Sequence, residues 1–315
     1  MSKALDGGAG TENMVLREAL IAICAGLASA AAAMAFLSKT FMALGFVYLA
    51  SLPMLMAGLA YGLPAATVAA IVGTLTASMS GFPMVGVIFG LIHALPTLVI
   101  TSLTMTRHTI EAGEIVSVIT ILSAIMLIAV AFFVRDGGLS KLITVHLGEV
   151  FNQLAPRFSE VERNRLALAM TPLFPGVVAI NFIVMTVVNT VIAQGVLVRI
   201  RFNKRDSPRY VNFKLPVWSS WPLVSAAFLA LVGTGEWEYM GRNLAMVLAI
   251  PYFFLGLSVF HCLAHRVAAT TPLLVALYLV IVISMWAALV VAGVGIVEHW
   301  FGLRNRFTGP PASND

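Results

Sequence analysis

Charged side chains are scarce in this chain: Asp, Glu, Lys and Arg make up 10% of its 315 residues, against about 25% in an average soluble protein. Hydrophobic residues reach 60%. A soluble fold of this length cannot hide so much apolar surface, because a large share of any folded surface must face water. Lipid is therefore the solvent expected for most of the chain. Cysteine is nearly absent as well. Cys24 and Cys262 lie far apart, each in an apolar run, which argues for buried thiols rather than a disulfide framework.

Catalytic and nucleotide-binding motifs are missing too. There is no G-x-x-x-x-G-K-[ST] phosphate loop, no G-x-S-x-G elbow and no G-x-G-x-x-G following a strand. A Walker-type ATP site is excluded, and any energy must come from elsewhere. No catalytic residue, cofactor or metal site is assigned, and the chain is not expected to be an enzyme. The formal net charge is +5, yet zinc fingers, RNA-binding motifs and long basic helices are lacking, so no nucleic-acid partner is expected. Cations beside hydrophobic spans instead set orientation and attract anionic lipid.

What is present is a series of apolar runs near the length needed to span a bilayer, about 20 residues. Nine segments stand out: 19–37, 41–61, 63–80, 83–104, 115–134, 176–198, 217–233, 243–263 and 271–297. The expected fold is all-α, a polytopic integral membrane helical bundle. The segment 63–80 is short, Ala-, Thr- and Ser-rich and flanked by Pro64 and Pro83, so eight or nine crossings are expected. Arg17, the run Ala19–Leu27 and Ala28-Ser29-Ala30 imitate a signal peptide. Glu18 abutting the run, and apolar residues continuing to Leu37, favour a retained helix.

Orientation follows from Arg199, Arg201, Lys204, Arg205, Arg209 and Lys214, which face a lone Asp206 in one connection. The positive-inside rule places this membrane-surface loop in the cytoplasm, where it meets anionic headgroups. Trp218 and Trp221 follow as interfacial anchors. Nine crossings then put Arg304 and Arg306 outside, against the same rule, whereas eight move the N-terminus outside. The only long connection is 135–170. Its apolar residues Leu139, Leu142, Ile143, Leu147, Val150, Phe151 and Leu154 recur at helical spacing, as in an amphipathic helix lying in the interface. Pro156 ends it, and Ser159 with Glu162 forms a capping box opening a second helix. A brace, a lid and a lateral gate are all open readings of this pair. The chain thus divides into a polar tail (1–18), a first membrane group (19–134), the interfacial helices (135–170), a second membrane group (171–307) containing the basic loop 199–214, and a disordered tail (308–315).

The nine spans contain no Asp, Glu, Lys or Arg. Buried ionisable groups normally mark proton relays and ion paths, so a carboxylate-based, ion-driven transporter is not expected. Hydroxyls and amides do occur. Thr67, Thr74 and Ser78 share one helical face, and Asn181 and Asn189 lie about 80° apart on the sixth span. His93 is the sole mid-membrane imidazole. These six residues are the candidate ligand set for a neutral or weakly polar molecule, with packing between helices as the alternative. His261 and His265, one turn apart, lack a third ligand for a metal. Glu236 and Glu238, with Trp237 and Tyr239, are either an external acid/base or sugar-stacking site or merely solvated. Ala22, Gly26 and Ala30 make a small-xxx-small face on the first span, suited to an internal helix contact or to a partner subunit.

Leu215-Pro216-Val217-Trp218, Asn243 opening a span with Gly256-Leu257 along it, and the run from Gly295 to Arg306 carry a family resemblance. Over residues ~210–307 the chain resembles the YybS-like family of bacterial membrane proteins, domain of unknown function 2232. The family tends to carry an acid where this chain has His299 or Gly302. That family is distantly similar to the substrate-binding subunits of energy-coupling-factor vitamin transporters, which implies a partner ATPase docking on Ala22, Gly26 and Ala30. The expected function is a multi-pass protein of the inner (cytoplasmic) membrane with a transporter-like fold. It would bind a small neutral or weakly polar solute or lipid and depend on an energising partner. The alternative is a non-transporting scaffold or assembly factor in envelope biogenesis.

Overall fold

The structure, a computed structural model, describes residues 3–38, 40–80, 82–106, 111–134, 137–267 and 269–304. All regular structure among them is helical. The tail expected at 308–315 lies outside the described residues. Two compact units interleave along the chain: Met1–Ile110 with Val184–Ser207, and Glu111–Ile183 with Pro208–Asp315.

The first unit contains α1 (Lys3–Met34), α2 (Phe41–Tyr48), α3 (Leu52–Tyr61), α4 (Leu63–Ser78), α5 (Pro83–Phe89) and α6 (Leu95–Thr106), together with the segment 184–207. Proline stands in the first turn of α3, α4 and α5, where its missing N–H costs nothing and its fixed φ suits a helix start. Gly62, at φ +99°, reverses the chain between α3 and α4, a backbone state that disfavours a side chain. The core of the unit is built largely from alanine: Ala22, Ala25 and Ala30 of α1 are buried with Ala65, Ala69, Ala70 and Ala77 of α4. A methyl added at Gly26 would strike the backbone oxygen of Ala69. Small residues here let two backbones touch, which is how apolar helices gain packing energy where lipid removes the hydrophobic drive. The face Ala22–Gly26–Ala30 is therefore filled by α4 and is not left open for a partner subunit.

The second unit contains α7 (Ala112–Phe133), α8 (Gly138–Leu154), α9 (Glu160–Met170), the start of α10 (Phe174–Arg199), α11 (Ser220–Val232), α12 (Glu236–Leu248), α13 (Ile250–Ala264), α14 (Thr270–Ile283) and α15 (Met285–Phe301). The capping box at Ser159 is complete: the Ser159 hydroxyl accepts from Glu162 N–H and the Glu162 carboxylate accepts from Ser159 N–H. α13 and α15 meet through glycines, since a methyl on Gly256 would strike Val291 O and one on Gly295 would strike Tyr252 O. These are glycines of the sequence run that carried the resemblance.

Among the described residues, six helical stretches are long and apolar enough to cross a bilayer: Val15–Ser38, Met42–Tyr61, Pro83–Thr106, Ala112–Phe133, Glu160–Arg199 and Glu236–Ala264. The pair Thr270–Ile283 and Trp286–Phe301, bent by 117°, makes a seventh if it is one span. That is fewer than the eight or nine expected. The difference lies in Leu63–Ser78 and Val217–Val232, both shorter apolar helices. Sixteen residues of helix reach only about 24 Å, against a hydrocarbon core of about 30 Å.

Candidate functional site

A polar seam runs through the first unit between α3 and α6, and local backbone irregularities build it. Pro53 has no N–H, and the N–H of Leu52 turns to Leu49 O at 3.0 Å. The carbonyl of Tyr48 thus loses its usual helical donor. Asn189 supplies one instead: its Nδ2 donates to Tyr48 O at 2.6 Å and to Met185 O at 3.0 Å. On the facing helix, residues Gly90–Ala94 form a single wide π-turn. Pro96 cannot donate to Ile92, and the Leu95 N–H reaches back five residues to Gly90 O. This turn carries His93, which is 6% exposed. Its Nδ1 lies 2.8 Å from Ser51 Oγ, and Phe89 packs on its ring with centroids 5.2 Å apart. Thr97 donates to His93 O at 2.7 Å, and Thr101 continues the same face to meet Gly58.

Two oxygens of this seam have no protein partner. Asn189 is 1% exposed and its hydrogen bonds to Tyr48 O and Met185 O both use the amide nitrogen, leaving Oδ1 buried and unpaired. The Thr101 hydroxyl, also fully buried, is unpaired as well. Such groups cost roughly 1–3 kcal/mol each, so natural folds rarely keep them without a use or a bound molecule. From Thr40 to Thr106 there is no Asp, Glu, Lys or Arg. The seam can offer hydrogen bonds but no fixed charge.

The six expected ligand residues therefore divide. His93 and Asn189 belong to the seam. Thr67 is exposed and its hydroxyl bonds back to Leu63 O at 2.9 Å. Thr74 and Ser78 pack into the notches of Gly90 and Gly86, with Ser78 Oγ donating to Thr74 O at 2.9 Å. Asn181 is exposed and belongs to the second unit. Ser51 joins the seam although a serine beside a proline carries no periodic signal in sequence, and Thr101 joins it from the cluster of hydroxyls, Thr101, Ser102 and Thr104, that ends the fourth apolar segment. In the basic loop, Arg199, Arg201, Lys204, Arg209 and Lys214 are exposed and Arg205 is half-buried. The Arg205 carbonyl accepts from Gln194 Nε2 at 2.7 Å and Asn203 Nδ2 at 3.0 Å.

The second unit holds charge where none was expected inside a helical span. Glu298, 7% exposed, is the one charged residue among the described buried ones. It pairs with Arg304, whose Nε lies 2.6 Å from Glu298 Oε1 and whose backbone N–H donates to Oε2 at 2.9 Å. Arg304 also donates to Val211 O at 2.7 Å and Phe213 O at 2.8 Å. The pair thus anchors the loop before α11 onto α13 and α15. Neighbouring Tyr210 donates to Phe254 O at 2.8 Å; burial first, then nearby Tyr278, pushes its hydroxyl well above the ordinary tyrosine range, so the phenol stays neutral.

Other expectations are corrected by occupancy. Glu236 caps α8: its carboxylate accepts from Leu139 N–H at 3.0 Å and from the Ser140 hydroxyl. Glu238 pairs with Arg242. Neither acid is merely solvated, and together they offer no open acid/base pair. Asn243, fully buried, accepts from Gly176 N–H at 2.8 Å and donates to Pro172 O at 3.0 Å and Tyr239 O at 2.8 Å. It repairs the backbone where Pro172 and Pro175 interrupt the approach to α10. Tyr239 donates to Thr171 O at 3.0 Å. These bonds pin the start of α8 and the turn that follows α9 to α12. His261 Nε2 lies 2.9 Å from Tyr278 Oη, and no group of three metal-binding side chains occurs among the described residues. Cys24 is exposed and Cys262 half-buried, both as free thiols, where burial was expected for each.

Several helices long and apolar enough to cross a bilayer, with the one acid among the described buried residues matched by an arginine, define a multi-pass helical membrane protein. Residues 29–298 match the family described as "Predicted membrane protein (DUF2232)", and the chain belongs to that family. No curated protein and no solved structure matches the chain.

Proposed function

We propose that the protein is a transporter-like protein of the cytoplasmic membrane whose first unit binds a small neutral or weakly polar solute at the α3–α6 seam. The observation that carries this reading is Asn189 Oδ1, a strong acceptor held in place by two hydrogen bonds of its own nitrogen yet buried without a partner. A hydroxyl or N–H of the solute satisfies it. The uncharged stretch from Thr40 to Thr106 matches an uncharged ligand, because an ion there would meet no counter-charge. Energy coupling comes from a partner, since the chain has no nucleotide motif. With Ala22, Gly26 and Ala30 filled by α4, that partner docks on a surface other than the one the vitamin-transporter resemblance implies. The exposed cations of the basic loop face the cytoplasm and attract anionic headgroups.

The test is gentle-detergent purification of the full chain from native membranes, with mass spectrometry of bound small molecules and co-purifying proteins. A stoichiometric non-lipid solute, lost in Asn189→Leu, supports the reading. Recovery of envelope-assembly proteins with no solute replaces it with the scaffold.

A further inference from the structure

Two side chains of the seam have their hydrogen-bonding roles fixed by their neighbours. Asn189 Nδ2 donates to both Tyr48 O and Met185 O. A flipped amide would set Oδ1 against those two carbonyl oxygens, so the unpaired atom is Oδ1, which can only accept. Ser51 is 2% exposed, and among the described residues its hydroxyl has one hydrogen-bond partner, His93 Nδ1 at 2.8 Å. Were Nδ1 protonated it would donate to Ser51 Oγ, and the hydroxyl proton would be buried without an acceptor. The same count excludes the imidazolium, in which Nδ1 is also a donor. Ser51 therefore donates to Nδ1, and the neutral His93 ring carries its hydrogen on Nε2. Among the described residues the His93 ring meets Ser51 through Nδ1 and Phe89 through its face, which leaves the Nε2–H as a donor without an acceptor. The free acceptor and the free donor are anchored close together: Tyr48 and Ser51 are three residues apart on the helical stretch Met42–Tyr61, about 5 Å along its axis.

We infer that the solute presents an N–H directly beside a carbonyl, as in a lactam, an imide or a carboxamide. Its N–H donates to Asn189 Oδ1 and its carbonyl accepts from the His93 Nε2–H, so both seam atoms are satisfied by one small neutral group. A sugar or other polyol buries more hydroxyl protons than the seam has free acceptors. A carboxylate or an amine brings charge to a stretch that has none from Thr40 to Thr106. The amide specificity rests on the seam holding a solute at all.

The experiment uses the full-length protein in detergent and has two parts. The first needs no ligand: heteronuclear NMR of protein carrying nitrogen-labelled histidine, with His93→Gln identifying the His93 signals. Wild type should show a bare Nδ1 and a protonated Nε2, and a protonated Nδ1 overturns the assignment. The second titrates carbostyril and coumarin, a lactam and a lactone of one shape that differ by an N–H against a ring oxygen, by saturation-transfer NMR against empty micelles. Size exclusion is the folding control. Wild type should bind carbostyril about tenfold more tightly than coumarin, the size of one buried hydrogen bond. Asn189→Leu should bring carbostyril down to the affinity of coumarin, whereas Ser51→Ala should weaken both, because both carbonyls use the Nε2–H that Ser51 fixes. Equal binding of the two probes to wild type overturns the amide specificity and leaves the seam a solute site. Binding of neither overturns the specificity and the solute reading together. Should Asn189→Leu fail the folding control, Ser51→Ala carries the test, and carbostyril affinity unchanged in that variant overturns the assignment.

Discussion

Gly26 decides between two roles for the small-residue face of α1. A methyl there would collide with Ala69 O and crowd Gly73 N and Val72 Cβ. Two of those three are backbone atoms and cannot rotate away, so α1 and α4 must separate along the alanine core they share. Overpacking of this kind costs about 1–3 kcal/mol for a methyl. Gly45 is the matched control: an added methyl meets nothing within 4 Å, and Gly→Ala in a helix gains roughly 0.5–1 kcal/mol. The two substitutions should therefore differ by about 2–4 kcal/mol in opposite directions. All five tryptophans lie between Trp218 and Trp300, in the second unit, so tryptophan fluorescence would miss the event. The assay is the fraction of monodisperse protein surviving graded heating on size exclusion. Gly26→Ala should lose the monodisperse peak at lower temperature than wild type, and Gly26→Leu should fail to fold. A Gly26→Leu protein as heat-resistant as wild type would refute the packing and return the face to a docking role.

Three further outcomes follow from the second unit. Arg304→Ala strands Glu298 in a buried site and should destabilise by about 3–5 kcal/mol; a double variant with Glu298→Leu should recover most of it, measured by denaturant unfolding followed through Trp300 and its neighbours. Asn243→Leu removes three backbone partners at once, each unsatisfied group costing roughly 1–3 kcal/mol, and should raise amide exchange around Pro172–Gly176 before elsewhere. Ser159→Ala removes the capping box, costs about 1 kcal/mol and should speed proteolysis within 157–166 while leaving the purified yield unchanged.

How far the sequence reached depended on whether a feature is periodic. Apolar runs, the amphipathic pattern of 139–154 and the Ser159–Glu162 box are local, and each emerges as a helix or a cap. His93 and Asn189 stood out because polar groups in apolar runs are conspicuous. Their partners did not. Ser51 matters because Pro53 breaks a hydrogen bond and a π-turn rotates His93 toward it, and neither event has a signature beyond a proline. Glu298 fell just past the end of an apolar run, so a hydropathy window excluded it although the helix continues to Phe301. Gly26 was visible as a small residue, but only the packing shows which helix fills its face. Likewise α7 precedes the long connection in sequence yet packs with the second unit, a long-range choice that no local pattern encodes.

The central claim is that the Asn189 seam holds a solute. Native mass spectrometry of the full chain from native membranes, comparing wild type, Thr101→Val and Asn189→Leu, tests it most directly. The account predicts one small non-lipid adduct on wild type that is missing from the folded fraction of Asn189→Leu. Thr101→Val, which only deletes an unpaired buried hydroxyl, should fold at least as well as wild type and hold the adduct more weakly. No adduct on wild type, or an adduct retained equally by folded Asn189→Leu, would contradict the account and leave the seam as packing alone.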